Sequence, residues 1–219
     1  EAWEPELLEE NLFDMAYGWD GHHLMNSMAK GEKTVEDLKT YINNTYLERY
    51  AEDDILMNFV TNHDENSWSG TIQERMGTQS ELMTVLSYIL PGMPLIYSGQ
   101  EYDLNYRLKF FEKDSIPKAK GKTFALLQKL GKLKNTHSAL NGGKEKATFE
   151  VLKSTDEVFI LKRSKGDQTL LFIANFSKNP SEVVLSEKGS FTDFMSGESL
   201  EIKGKQFQMD ASTYKILIN

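Results

Sequence analysis

Ile55-Leu56-Met57-Asn58-Phe59-Val60 is a mostly apolar run that passes directly into the polar stretch Thr61-Asn62-His63-Asp64-Glu65. A short apolar run without alternation reads as a strand buried on both faces, the kind found in parallel sheets covered by helices. Helical patterns flank it on both sides. Upstream, residues 13–17 (Phe13-Asp14-Met15-Ala16-Tyr17) read as a short strand, followed by a helix over 22–30 that Gly31 stops. Thr34-Val35-Glu36-Asp37 resembles a capping box with Asp in place of Glu, and Val35, Leu38, Ile42 and Tyr46 continue at helical spacing.

Downstream, residues 64–77 read as a polar, Gly-containing loop. Leu82, Val85, Leu86, Ile89 and Leu90 then line one face of an amphipathic helix. Pro91-Gly92 ends that helix, residues 94–97 begin another short strand, and a further helix covers 123–134. Strands alternating with helices imply βα units and a parallel sheet. The pattern breaks at Asn141-Gly142-Gly143. Beyond it the chain reads as strands over 148–152, 158–163, 169–175, 182–185, 191–195 and 213–218, an antiparallel β-sandwich. The expected organisation is an α/β region over 1–142 and a β-sandwich domain over 143–219.

Composition excludes several function classes. The net charge of −8 disfavours nucleic acid and anionic membrane surfaces and suits a neutral substrate. There is no apolar run long enough for a transmembrane helix. Without cysteine, disulfides, thiol catalysis and Cys-ligated metals are excluded. The chain opens on Glu1-Ala2-Trp3 and reads as part of a longer or processed protein, so the lack of a leader says nothing about compartment. A secreted or periplasmic location is favoured over a cytoplasmic one.

Polar clusters sit just past the predicted strands: Glu1 with Trp3 and Glu4, Asn62-His63-Asp64-Glu65, and Ser98-Gly99-Gln100-Glu101. In parallel-strand barrels the carboxyl ends of the strands collect catalytic groups. An imidazole and a carboxylate leaving an apolar strand are costly to bury unpaired, which favours function. A satisfied core histidine, or a pair that caps a helix and fixes a loop, is the competing reading. His22-His23 does not make a metal site, because adjacent side chains diverge on a helix and no third ligand recurs at useful spacing.

The ordered motifs resemble the α-amylase family, glycoside hydrolase family 13. Phe59-Val60-Thr61-Asn62-His63-Asp64 is similar to that family's fourth conserved region, at the end of barrel strand seven. Pro91-Gly92-Met93-Pro94-Leu95-Ile96-Tyr97-Ser98-Gly99-Gln100-Glu101 resembles the segment through strand eight. Residues 13–17 resemble strand six, and Arg107-Leu108-Lys109-Phe110-Phe111 resembles a loop of bacterial members. The resemblance covers residues 1–134 and implies the C-terminal half of a TIM-type (β/α)8 barrel, strands five to eight, with the family's β-sandwich after it.

The resemblance also implies roles. Asp64 would bind sugar hydroxyls and steady an oxocarbenium-like transition state, with His63 donating to a neighbouring hydroxyl and Asn62 binding substrate beside them. Glu1, followed by Trp3, would be the general acid/base at the end of strand five; Glu4 competes for that role. The nucleophilic Asp of a retaining enzyme has no match here and would lie upstream of Glu1, as would any calcium-binding insertion. The implied activity is retaining hydrolysis of α-glucosidic bonds in starch or maltodextrins, by a chain that alone would be inactive. The alternatives are transglycosylation or isomerisation on the same scaffold, or a non-catalytic carbohydrate-binding protein. Tyr17, Trp19 and Trp68 are candidate sugar platforms, with core packing the competing role for each and Trp68 preferred. Arg75 either anchors the loop after Asp64 or makes a surface ion pair. A half-barrel would expose strand edges, so self-association or pairing with the other half is expected.

Overall fold

The computed structural model describes residues 5–10, 12–204 and 206–219. The first part packs helices α1 (Glu6–Glu9), α2 (Trp19–Lys30), α3 (Val35–Asn43), α4 (Ile72–Met76), α5 (Ser80–Ile89) and α6 (Lys122–Thr136) around three short strands. These are β1 (Ala16–Tyr17), β2 (Leu56–Asn58) and β3 (Met93–Pro94). The strands pair in the order β1-β2-β3, both pairs parallel, with Ala16 opposite Leu56 and Met57 opposite Met93. Each strand is shorter than its apolar run, because only the residues in register with a neighbour join the ladder.

Local signals act as the sequence predicts at several points. The α2 helix buries Trp19, His22, Met25 and Met28, a stripe at helical spacing, and Gly31 closes it in the left-handed conformation at φ 80°. Thr34 and Asp37 form a reciprocal capping box on α3. The α5 helix departs from expectation: every residue from Leu82 to Ile89 is buried, not one face alone. It lies within a core cluster that also contains strand residues of the second part, so both of its sides are covered. Its polar residues are satisfied within the helix, Thr84 donating to the Ser80 carbonyl and Ser87 to that of Thr84.

The stretch 64–77, expected to be a loop, contains a π-helical turn at Glu65–Ser69 and the short α4. A second capping box, Thr71 with Glu74, starts α4. Gly92 is required where α5 passes into β3. At φ 113°, a Cβ there would lie 2.3 Å from the Leu56 carbonyl oxygen of the neighbouring strand.

From Thr148 onward the chain is antiparallel β. A six-stranded sheet in the order β4-β5-β6-β11-β8-β9 faces a two-stranded ribbon of β7 and β10. The strands are β4 (Thr148–Leu152), β5 (Val158–Lys165), β6 (Gln168–Asn175), β7 (Ser181–Val184), β8 (Lys188–Asp193), β9 (Ser199–Lys203), β10 (Gln206–Met209) and β11 (Thr213–Ile218). The sequence reading lacked β9 and β10. Both are short surface strands whose buried side chains are few, Ile202 and Met209, so the apolar signal is weak.

The central strands β5, β6 and β11 alternate between two cores with the two-residue period of a strand. Phe159, Leu161, Leu170, Phe172 and Ile216 point into the cluster shared with α2, α3, α5 and α6. Val158, Ile160, Leu171, Ile173 and Leu217 point the other way, against Val183, Leu185 and Met209. Burial on both faces is why these strands are continuous apolar runs.

Candidate functional site

The strand β2 ends at Asn58, and the chain then turns through 59–64 at the carboxyl end of the parallel sheet. Asn62 is 1% exposed, and its Oδ1 accepts from the Glu65 amide at 2.8 Å. Asn62 therefore caps the π-helical turn. Asp64 stands at the cap position but makes no side-chain capping bond. Its carboxylate is 44% exposed and lies 3.5 Å from His63 Nε2, while His63 is 52% exposed. The capping role belongs to Asn62, which leaves the His63–Asp64 pair facing solvent. Thr61 Oγ1 and Asn62 Nδ2 are buried beside this pair without a hydrogen-bond partner among the described residues.

Behind the pair lies a buried polar network. His22 Nδ1 meets the Phe59 carbonyl at 3.1 Å, and His22 Nε2 meets Glu65 Oε2 at 3.0 Å. The His22 ring stacks on Phe59 with centroids 4.4 Å apart. Burial pushes the His22 pKa down, and the hydrogen bond to Glu65 offsets part of that fall. The same hydrogen bond holds Glu65 below the usual carboxylate range. Arg75 is buried and donates to the carbonyls of Gly70 (2.9 Å) and Val60 (2.8 Å) and to Asn26 Oδ1 (2.7 Å). Of the two readings of Arg75, loop anchor and surface ion pair, the structure shows the anchor.

The segment after β3 folds back onto the turn that follows Asp64. Asn66 Oδ1 accepts from the Leu108 amide at 2.8 Å, and Ser67 Oγ donates to the Leu108 carbonyl at 2.8 Å. Arg107 grips Glu74 through Nε at 3.1 Å and a terminal nitrogen at 3.3 Å. This brings Phe110 over His63, with centroids 5.9 Å apart and planes 26° from parallel, and 5.2 Å from Trp68. Burial raises the Tyr97 pKa, and the nearby Asp64 charge adds to the shift.

The sequence-predicted residues thus divide. His63, Asp64 and Trp68 share one exposed edge, with Asn62 buried beneath it. Tyr17 closes β1 and packs edge-on against Phe59 at 5.4 Å, alongside Trp19 at 5.8 Å. Trp19 itself is buried. Glu1, with Trp3 and Glu4, lies outside the described residues. Sequence reasoning placed Glu65 in the same polar cluster but not its bond to His22, and it missed Asn66, Phe110 and Tyr97 as neighbours of the pair. Their only sequence signal is position after a predicted strand; the contacts span 33 to 47 residues and become visible only when the chain folds. Among the described residues, no group of three His, Asp or Glu side chains is arranged to hold a metal ion.

A parallel sheet with polar turns at its carboxyl end, followed by antiparallel sheets, defines the fold of the C-terminal part of α-amylase chains. Solved structures match it closely. A maltogenic α-amylase from Thermotoga neapolitana superposes at a TM-score of 0.79 with 17% identity, over 99% of this chain and 52% of that one. An α-amylase from Lactobacillus plantarum gives 0.74 with 19% identity, over 94% and 48%. An α-amylase from Geobacillus thermoleovorans, complexed with acarbose, gives 0.67 with 18% identity, over 94% and 48%. The chain spans about half the length of these proteins. No protein-family model matches it, and no curated protein matches it.

Proposed function

We propose that the chain belongs to the α-amylase family and forms the C-terminal half of its (β/α)8 barrel, in a retaining α-glucan hydrolase acting on starch or maltodextrins. One observation carries the reading. The Asp64 carboxylate at the end of a parallel strand is not used for capping, is open to solvent, and has His63 beside it. Carboxylates at that position suit an oxocarbenium-like transition state, whose charge they offset as it develops.

In this reading Asp64 and His63 grip the hydroxyls of a distorted sugar, and Trp68 offers its face to the ring. Glu1 protonates the leaving oxygen and then activates water, while a carboxylate from the other half of the barrel forms the covalent intermediate at about 5–5.5 Å from the acid. Thr61 Oγ1 and Asn62 Nδ2 would find their partners in that other half or in the sugar. The outer edges of β1 and β3 are where it would pair. The chain alone lacks the nucleophile and would not turn over.

Hydrolysis of maltooligosaccharides by the complete protein tests this, with Asp64→Asn as the variant. The expected result is an active parent and a loss of at least about a hundredfold in kcat/KM on substitution. An active parent that tolerates Asp64→Asn would sink the site assignment. An inactive parent that still binds maltooligosaccharides would favour the carbohydrate-binding alternative.

A further inference from the structure

Phe111 is 84% exposed and Trp68 60% exposed, and both touch Phe110, itself 37% exposed. Leaving rings of this size in water is unfavourable, and clustered exposed apolar groups mark binding surfaces. The Phe110 and Phe111 rings meet nearly edge to face, 4.8 Å apart at 76°, and Trp68 lies 6.3 Å from Phe111. Phe110 also stacks on His63, so the rings are continuous with the Asp64 site.

The loop that carries them is preorganised. Asn66, Ser67 and Glu74 tie residues 106–108 to the turn after Asp64. Further out, the Lys109 amide donates to Asp114, Lys109 Nζ pairs with Glu112, and Tyr106 donates its hydroxyl proton to the Ser115 carbonyl. A loop clamped at so many points holds its rings in place before a ligand arrives, which lowers the entropy cost of binding.

The chemistry of the patch selects its occupant. Its exposed apolar groups are aromatic, and aromatic faces carry negative quadrupole charge that attracts the C–H face of a pyranose. The Arg107–Glu74 and Lys109–Glu112 pairs flank the rings and offer donors and acceptors for hydroxyls. An apolar protein surface or a lipid would gain nothing from those charges.

We infer that Phe111, held edge-on against Phe110 and neighboured by Trp68, offers its face as a stacking platform for a sugar ring of an α-glucan next to the ring held at Asp64 and His63. This rests on the glucan reading above. Phe111 projects into solvent, so replacing it leaves the core intact.

Calorimetric titration of the complete protein with maltohexaose tests the platform, using Phe111→Ala, Phe111→Trp and Asp64→Asn. Phe111→Ala should weaken binding about tenfold, as truncation of a stacking anchor does, and Phe111→Trp should restore it. Binding that Asp64→Asn weakens but Phe111→Ala leaves unchanged overturns the platform and spares the glucan reading. An unchanged affinity with a shift in sedimentation on Phe111→Ala assigns the patch to a protein contact and also overturns it. No binding by the unsubstituted protein overturns both.

Discussion

Arg163 of β5, 1% exposed, donates through a terminal nitrogen to the Ile89 carbonyl at the end of α5, at 2.8 Å. Its other terminal nitrogen donates to the Asn141 carbonyl at 3.1 Å. Lys134 of α6 bridges the same two segments, donating to the carbonyls of Gly92 (2.7 Å) and Leu140 (2.5 Å). Two cations thus satisfy backbone oxygens at the end of α5, where the helix dipole is negative, and tie them to the linker before the antiparallel sheets. Replacing Arg163 with Met should cost about 2–4 kcal/mol, because the buried Ile89 carbonyl and the partly buried Asn141 carbonyl lose charged donors. Urea unfolding measures this; a change within experimental error would rule out the clasp.

Burial and the neighbouring Arg163 charge push the Lys134 pKa down to about 8 from 10.5. The unfolded chain therefore binds more protons between those values, so this group makes stability rise with pH across that window. Relative to Lys134→Met, the parent should gain stability from pH 8 to 10.5. Denaturant titrations at several alkaline pH values decide the sign, and a relative loss would contradict it.

The His22–Glu65 pair predicts acid sensitivity. His22 sits below its ordinary 6.5, so its contribution is present above that value and is lost as pH falls through the folded pKa. Glu65 sits below its ordinary 4.5, and its contribution is lost at lower pH still. Glu65→Gln removes the partner that props up the His22 pKa. Stability should then fall more steeply with pH just below 6.5, and the later Glu65 step should vanish. A shallower slope in the first window would count against the coupling.

Asn66 is the hinge between the site turn and the aromatic loop. Asn66→Ala leaves the buried Leu108 amide unpaired, at a cost of about 1–3 kcal/mol. Hydrogen exchange at the Leu108 amide should accelerate, with the loop loosening ahead of the core. Unchanged exchange there would show that other contacts hold the loop.

Gly92 admits no side chain. Gly92→Ala combines a left-handed backbone with a clash against the Leu56 carbonyl, and should destabilise by about 3 kcal/mol or more. A variant that melts like the parent would mean that β2 and β3 pair differently in solution.

The sequence by itself determined the elements whose signals are local. The Gly31 stop, the Thr34–Asp37 capping box and the α6 stripe depend on neighbours within one or two turns. So do the apolar runs of β5 and β6 and the motif ending in Asn62-His63-Asp64. What required tertiary structure was every assignment made by distant partners. Asn62 and Asp64 are acceptors two residues apart, and only the folded turn makes Asn62 the cap and leaves Asp64 open. Arg163 lies in a strand next to Lys162, yet it is buried, because α5 presents the Ile89 carbonyl to it from 74 residues away. Phe110 and Phe111 lie in a segment that reads as a loop, and only the clamp from Asn66 and Glu74 sets that loop beside His63. Local patterns record what a residue prefers; long-range contacts decide which of its neighbours can satisfy that preference.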